Sequence, residues 1–374
     1  MWKRPLVALL LVAAVGAMAG CSTKTETPPA SNSNGGNVPA PSTQTDGVDK
    51  SKLGKELNLF SWAEYFPEEV LKGFETEYGV KINYDTYANN EEMASKLQAG
   101  GGQYDLAVPS TYMVESLAKQ GLLQEIDQKL LPNMKNLDPQ FLNLPHDKGN
   151  KFSVPYMWGT MSVAYNSKYV TKAPEKWADL LDPAYKNKIV AVDDGREIFG
   201  IGLQALGYSR NETDPKKLKE AQEWLKKLMP NIKAWDSDNP KAMLISEEAW
   251  IGLVWNGEAA LAMAENKDIK YMIPKDGGSI WLDNMVVPKG AKNAYTAHVF
   301  MNYIMRPEVA AKVGTGYPYG LPNLKGFELL PAEIKSNVAS YPPKAWLAKV
   351  EYAADLGEKA ADVDQAYTEL KAGQ

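Results

Sequence analysis

The 374-residue chain contains one cysteine and two histidines. A single thiol, Cys21, cannot close an internal disulfide, and His146 and His298 lie too far apart for the paired spacing of a multi-histidine metal site; no metal is expected. Basic charge is not in excess either, because 41 Lys+Arg against 46 Asp+Glu give a formal net charge of -5. That balance argues against the positive surface with which nucleic-acid binders hold phosphates, so no nucleic acid is expected as a partner. Long apolar runs are missing as well: none reaches the roughly 20 residues needed to span a bilayer. The chain has no phosphate loop, no Gly-x-Ser-x-Gly elbow, no His-Glu-x-x-His helix and no glycine-rich dinucleotide fingerprint. His146 falls in a Pro-rich loop and His298 in a helical stretch, positions that read as packing or surface residues rather than as members of a Ser/His/Asp set. The expectation is a protein without catalytic residues or cofactor. What the chain does have is a 44% apolar composition, sufficient for a packed core, and ten tryptophans with nineteen tyrosines, an aromatic load that needs a reason.

The first fifty residues differ from the rest. Lys3 and Arg4 precede an apolar run from Leu6 to Ala19, and Met18-Ala19-Gly20-Cys21 ends it with small residues. The run is too short for an anchor helix and reads as an export signal. It resembles a bacterial lipoprotein signal, which implies a signal peptide over 1–20 and a Cys21 that becomes the new N-terminus and carries acyl chains. The alternative is an ordinary signal peptide with a chance cysteine, which leaves unexplained why the only Cys occupies the lipobox position. Several acyl chains on one residue give stable attachment where one gives marginal binding. Residues 21–51, rich in Ser, Thr, Pro, Asn and Gly, cannot bury enough apolar area to fold and read as a tether. About 30 such residues reach roughly 30 Å, about one domain diameter. The body is therefore expected on the extracytoplasmic face of the membrane.

Beyond the tether, Leu57–Trp62 reads as a strand, 67–79 as a helix bracketed by Pro and Gly, and 80–87 as a second strand. A helix over 90–100, a strand over 104–109 and a helix capped by Ser110 continue the alternation, which predicts a mostly parallel sheet covered by helices. Residues 152–166 form a long extended segment that suggests an interdomain crossing, and a second α/β series starts at Ile189. Two α/β lobes facing each other make a cleft, and ligands bind outside the carboxyl ends of their strands.

Aromatic residues stand beside carboxylates or amides at those strand ends: Trp62-Ala63-Glu64-Tyr65, Trp255-Asn256-Gly257 and Trp281-Leu282-Asp283. Residues i and i+2 of a strand share a face, so Trp281 and Asp283 can present a ring and a negative charge together. That pairing suits an organic cation, with about 0.5–2 kcal/mol per ring contact and about 1.5–3 kcal/mol for a hydrogen bond to a charged group. Taken singly, each Trp reads better as a core residue and each acid as a solvated turn residue; three such strand ends together weaken that reading. Asp193-Asp194-Gly195-Arg196-Glu197 carries a similar ambiguity, since an Asp three residues before a Glu ahead of an apolar helix is also an N-capping box.

As a set, these segments together with Tyr104-Asp105-Leu106-Ala107-Val108-Pro109-Ser110-Thr111-Tyr112, Pro155-Tyr156-Met157-Trp158-Gly159-Thr160 and Ser237-Asp238-Asn239-Pro240 resemble the spermidine/putrescine-binding proteins of polyamine ABC importers. The resemblance runs in order from about residue 55 to the end. It implies an α/β, two-domain fold of the type II periplasmic-binding-protein kind with a hinged cleft. One domain would comprise 52–160 and 281–327, and the other 161–280 and 328–374. It further implies an aromatic box of Trp62, Tyr65, Tyr112, Trp255, Trp281 and Tyr317 around the methylenes, with Glu64, Asp194, Glu197 and Asp283 taking ammonium groups and Ser110 and Ser237 as polar contacts. The implied partners are a polyamine, permease subunits of an ABC transporter and, through Cys21, the membrane; the implied state is a monomer. Three departures stand out. Ala63 replaces a hydroxyl residue, Ala353 stands where the family segment carries Gln, and the 317–323 loop is longer, so Tyr317 and Tyr319 compete for one position. Other readings are a receptor for betaine or choline, a polyamine sensor or surface adhesion module, and a glycosidase using Asp194 and Glu197. The last is disfavoured because two acids on one helix start cannot straddle a sugar oxygen.

Overall fold

A computed structural model describes residues 47–373. The expected signal peptide, Cys21 and most of the tether lie outside the described residues. The described chain opens with a one-turn 3-10 helix at Lys50–Lys52 that Asp49 caps through Ser51. Val48 and Leu53 already pack on the core there.

Ten strands follow in one curled sheet: β1 (Glu56–Ser61), β2 (Lys81–Thr86), β3 (Leu106–Ala107), β4 (Ser153–Asn166), β5 (Ile189–Ala191), β6 (Ile232–Trp235), β7 (Ile251–Trp255), β8 (Ile269–Met272), β9 (Gly278–Val286) and β10 (Val350–Tyr352). Their order is β2-β1-β3-β9-β4-β7-β5-β6, with β10 beside β9 and β8 beside β4. The flanks are parallel, as helical crossovers require: β1 with β2 and β3, and β5 with β6 and β7. The middle corrects the expectation of a mostly parallel sheet. β9 runs antiparallel to β3 and β4, and β4 runs antiparallel to β7 and β8. β4, 14 residues long and nearly all buried, links the two flanks: its first part pairs with β9 and its last with β7 and β8, all running against it. Its Pro155 lacks a ladder N–H, and the register slips between Pro155 and Met157, a bulge that accommodates proline inside a sheet.

Apolar residues gather in separate clusters on the two flanks. On one side Leu57, Leu59, Phe74, Met157, Met285, Phe300 and Val313 pack together. On the other, Met161, Val163, Trp177, Ile189, Phe199, Leu225, Leu253 and Val363 do so. Along β4 the membership changes between Met157 and Met161. The helix Glu68–Tyr78 shows how local signals build the first side. Pro67 precedes it, Glu68 and Glu69 meet the positive end of its dipole, and Gly79 at φ 69° ends it with an N–H to Glu75 O. Its Val70 and Phe74, one turn apart, face inward, and Phe74 meets Phe300 edge to face at 5.0 Å. Such fully buried side chains each contribute about 1.5–3 kcal/mol. No helix among the described residues is long and apolar enough to cross a membrane.

Candidate functional site

Strand ends and helix starts from both flanks converge on one cleft of about 1020 Å³, including the part open to solvent. Of the twelve residues expected to contact a ligand, eleven line it: Trp62, Glu64, Tyr65, Ser110, Tyr112, Asp194, Glu197, Ser237, Trp255, Trp281 and Asp283. Tyr317 does not, and Tyr319 takes the place in the lining. Tyr319 reaches it because Gly257 lets the ring approach the backbone; a Cβ on Gly257 would sit 2.4 Å from the ring.

One wall is a ladder of rings. Tyr65 meets Tyr319 at 5.8 Å, Tyr319 meets Trp281 at 5.3 Å, and Trp281 meets Trp255 at 6.3 Å, all edge to face. Register explains how Trp255 and Trp281 come together from distant sequence. Trp281 pairs with Gly159 on β4, and Trp255 pairs with Met161, two residues along the same strand. Trp62 completes the apolar surface, its ring on Tyr87 at 4.7 Å and its indole N–H donating to Val108 O at 3.0 Å.

Asp283 is the most defined carboxylate. Only 5% exposed, it accepts hydrogen bonds from Tyr65 Oη and Ser110 Oγ, each at 2.6 Å. Burial pushes its carboxyl up to about 6 despite these two bonds, which pull the other way. No cationic side chain among the described residues forms an ion pair with it. Ser110 stands at the N-cap of the helix Thr111–Lys119 but makes no capping bond. Its hydroxyl goes to Asp283, so the expected cap is a carboxylate-positioning group.

Asp194 and Glu197 resolve differently from each other. Asp194 caps the helix Gly195–Ala205, accepting from Glu197 N at 3.0 Å. The reciprocal half of the capping box is missing because the Glu197 carboxylate turns away: Oε1 accepts from Arg210 Nη2 at 2.9 Å and Ser279 Oγ at 3.0 Å. Glu197 and Arg210 form a buried ion pair, while Glu197 Oε2 has no hydrogen-bond partner. Burial first, and then the nearby Glu197 charge, push the Asp194 carboxyl up to about 7. Ser237 accepts from Asp193 N at 2.8 Å and so buttresses the same turn. Asp193 itself faces elsewhere, bound to Tyr367 Oη and Lys371 Nζ of the C-terminal helix.

Several lining or supporting residues carried no clear signal in the sequence. Arg196 lies over the Tyr112 ring at 5.2 Å, and Tyr112 Oη donates to Glu91 at 3.0 Å. Asn90 holds Ser110 from both sides, through Ser110 N at 3.1 Å and Ser110 Oγ at 3.2 Å. Glu258 lines the cleft close to Glu64, whose backbone is left-handed at φ 48°. Ala63 and Ala353, two of the departures noted above, both line the cleft and leave space where larger polar side chains would reach in. Chemically, the site offers rings, acids without cations and acids already neutralised; a proton shuttle between Asp194 and Glu197 is ill served by a Glu197 tied to Arg210.

Residues 69–343 match a family described as bacterial extracellular solute-binding protein. The chain is similar to the spermidine/putrescine-binding periplasmic protein of Salmonella typhimurium, 42% identical over 320 residues that make up 85% of this chain and 92% of that protein. Among solved structures it is similar to a putative spermidine/putrescine ABC transporter from Listeria monocytogenes, with a TM-score of 0.83, 38% identity and coverage of 86% of this chain and 100% of that one. It is also similar to the spermidine/putrescine ABC transporter substrate-binding protein PotD from Streptococcus pneumoniae, with a TM-score of 0.74, 38% identity and coverage of 85% and 99%.

Proposed function

The chain belongs to the bacterial extracellular solute-binding proteins and has their mixed α/β fold, and from that premise we propose that it captures a polyamine of the spermidine/putrescine class and delivers it to the permease of an ABC importer. The observation that carries the reading is Asp283, a buried carboxylate held by two hydroxyl groups, without a cationic partner among the described residues, two residues from Trp281. A polyamine is a row of ammonium groups separated by methylenes. Its charges need acids and its methylenes need apolar walls, and a buried charge must be paired. Asp283 and Asp194 would take ammonium groups, while Glu64 and Glu197, also expected to do so, already meet Lys241 and Arg210. The ring ladder of Tyr65, Tyr319, Trp281 and Trp255 would flank the methylenes, with Trp62 and Tyr112 beside it. The descriptions of the similar Salmonella, Listeria and Streptococcus proteins favour this ligand class.

Binding would act through closure. In this reading the segments 52–160 with 281–327 make one lobe and 161–280 with 328–374 the other, and the ligand would favour the closed state because only there would it meet partners from both. A micromolar affinity corresponds to about -8 kcal/mol. A few charge-assisted hydrogen bonds at about 1.5–3 kcal/mol each suffice after the cost of immobilisation. In this reading the protein is a monomer without catalytic turnover, held on the extracytoplasmic face by acyl chains on Cys21. Calorimetry with putrescine, spermidine, spermine, betaine and a neutral disaccharide tests the ligand. Heat from the polyamines alone is expected, and heat from betaine or sugar without polyamine heat would sink the proposal. For the anchor, Cys21→Ser should release the protein from membranes, and unchanged fractionation would refute lipidation.

A further inference from the structure

Two acids of the cleft are bridged by an amine of the chain itself. Lys241 opens the short helix Lys241–Ile245, directly after the segment in which Ser237 and Asp238 line the cleft. Its Nζ donates to both carboxylate oxygens of Glu258, at 3.1 and 2.9 Å, and to Glu64 Oε2 at 3.2 Å. Both acids line the cleft, while Lys241 sits between them with a side chain only 18% exposed. Glu64 follows β1 and Glu258 lies on the helix after β7, so one ammonium bridges acids from the two flanks of the sheet. Burial works against its charge, but Glu258 and then Glu64 outweigh that and hold the amine above its ordinary range. The lysine therefore stays an ammonium at neutral pH.

We propose that Lys241 is a tethered competitor for ligand ammonium, occupying the Glu64–Glu258 pair and so determining how many positive charges a ligand can place in the cleft. This rests on the polyamine reading above. With Glu258 and Glu64 answered by Lys241, and Glu197 by Arg210, the lining acids without an ion pair among the described residues are Asp283, Asp194 and Asp238, and Asp238 is exposed at the rim, so the enclosed ones are Asp283 and Asp194. Two such acids match two ammonium groups, which favours a diamine over longer polyamines. Freeing the Glu64–Glu258 pair would create a third acidic position for the extra amine of a triamine.

The test compares spermidine and putrescine by calorimetry on the unmodified protein, on Lys241→Met and on Lys241→Met/Glu258→Gln. The first variant strands Glu258, a buried carboxylate, and risks poor folding. The second leaves no buried charge unpaired and still frees Glu64. The affinity ratio of spermidine to putrescine should rise roughly tenfold in Lys241→Met, in line with one added charge-assisted contact, and by a smaller factor in the double variant. Polyamine binding with a ratio unmoved in both variants overturns the role of Lys241 and leaves the polyamine reading standing. Absence of polyamine binding by the unmodified protein overturns that reading and this inference together.

Discussion

Asp283 and Glu197 are carboxylates of the same cleft, both less than a tenth exposed, and they are stabilised in opposite ways. Glu197 is answered by the guanidinium of Arg210, a fixed cation from its own chain. Among the described residues Asp283 is answered by the hydroxyls of Tyr65 and Ser110, which orient a charge without cancelling it. Burial alone therefore does not mark a carboxylate as a ligand acceptor; the partner does. Paired with a cation, a buried acid holds structure together, because removing either member leaves the other charge stranded. Held by neutral donors, it carries a raised proton affinity and a demand for a cation from outside.

The largest expected effect lies on the structural side of this contrast. Glu197→Gln strands Arg210 and should cost on the order of 3–5 kcal/mol of stability, read as a lowered denaturation midpoint. A midpoint within experimental error of the parent would show that the ion pair is dispensable. Next comes Asp283→Asn, which should weaken polyamine binding about tenfold or more, about 1.4 kcal/mol per decade, while melting of the unliganded protein hardly changes. Loss of folding with normal binding per folded molecule would reverse the assignment of the two acids.

A pH series sharpens the contrast. Asp283 and Asp194 hold their protons up to about 6 and about 7 in the folded protein, against 3.8 in an unperturbed carboxyl. Over that window the unfolded chain binds fewer protons, so these two groups make the unliganded protein lose stability as pH rises from about 4 to about 7. Polyamine affinity should move the other way, rising as the acids ionise, and the rise should shrink in Asp283→Asn. A flat affinity between pH 5 and pH 8 would contradict it. The smallest effect is expected at the ring wall. Tyr319→Leu should lose about 0.5–2 kcal/mol of binding and Tyr317→Leu less, and the reverse order would restore Tyr317 to the position first expected for it.

Much of this was legible in the sequence because it is local. The helix Glu68–Tyr78 announces itself through Pro67, its early glutamates and Gly79, and β1 falls within one residue of the stretch Leu57–Trp62 that reads as a strand. Trp62 and Trp255 were legible as motifs at strand ends, but Trp281 and Asp283, expected at a strand end as well, stand inside β9, where pairing with β4 on one side brings them into the wall. What stayed hidden depends on partners distant in sequence. Ser110 looks like a helix cap until β9 brings Asp283, 173 residues away, to its hydroxyl. Arg210 sits in a loop with no pattern of its own, and only the packing of Ser279 and Glu197 around it reveals a buried pair. Lys241 offered a faint clue, a lysine just after Ser237-Asp238-Asn239-Pro240, but local spacing does not show that it meets Glu258 and Glu64. The antiparallel centre of the sheet escaped because alternating strands and helices describe the flanks and say little about a 14-residue strand passing between them.

The ring ladder has an optical consequence. Trp255 and Trp281 stand edge to face at 6.3 Å in the wall of the cleft, with Tyr319 against Trp281. Two indoles this close to where a cation would settle are built-in fluorophores at the point of occupancy. A polyamine seated between Asp283 and Asp194 should alter their emission directly, so that titration, specificity and closure rate become readable by stopped-flow fluorescence on the unlabelled protein.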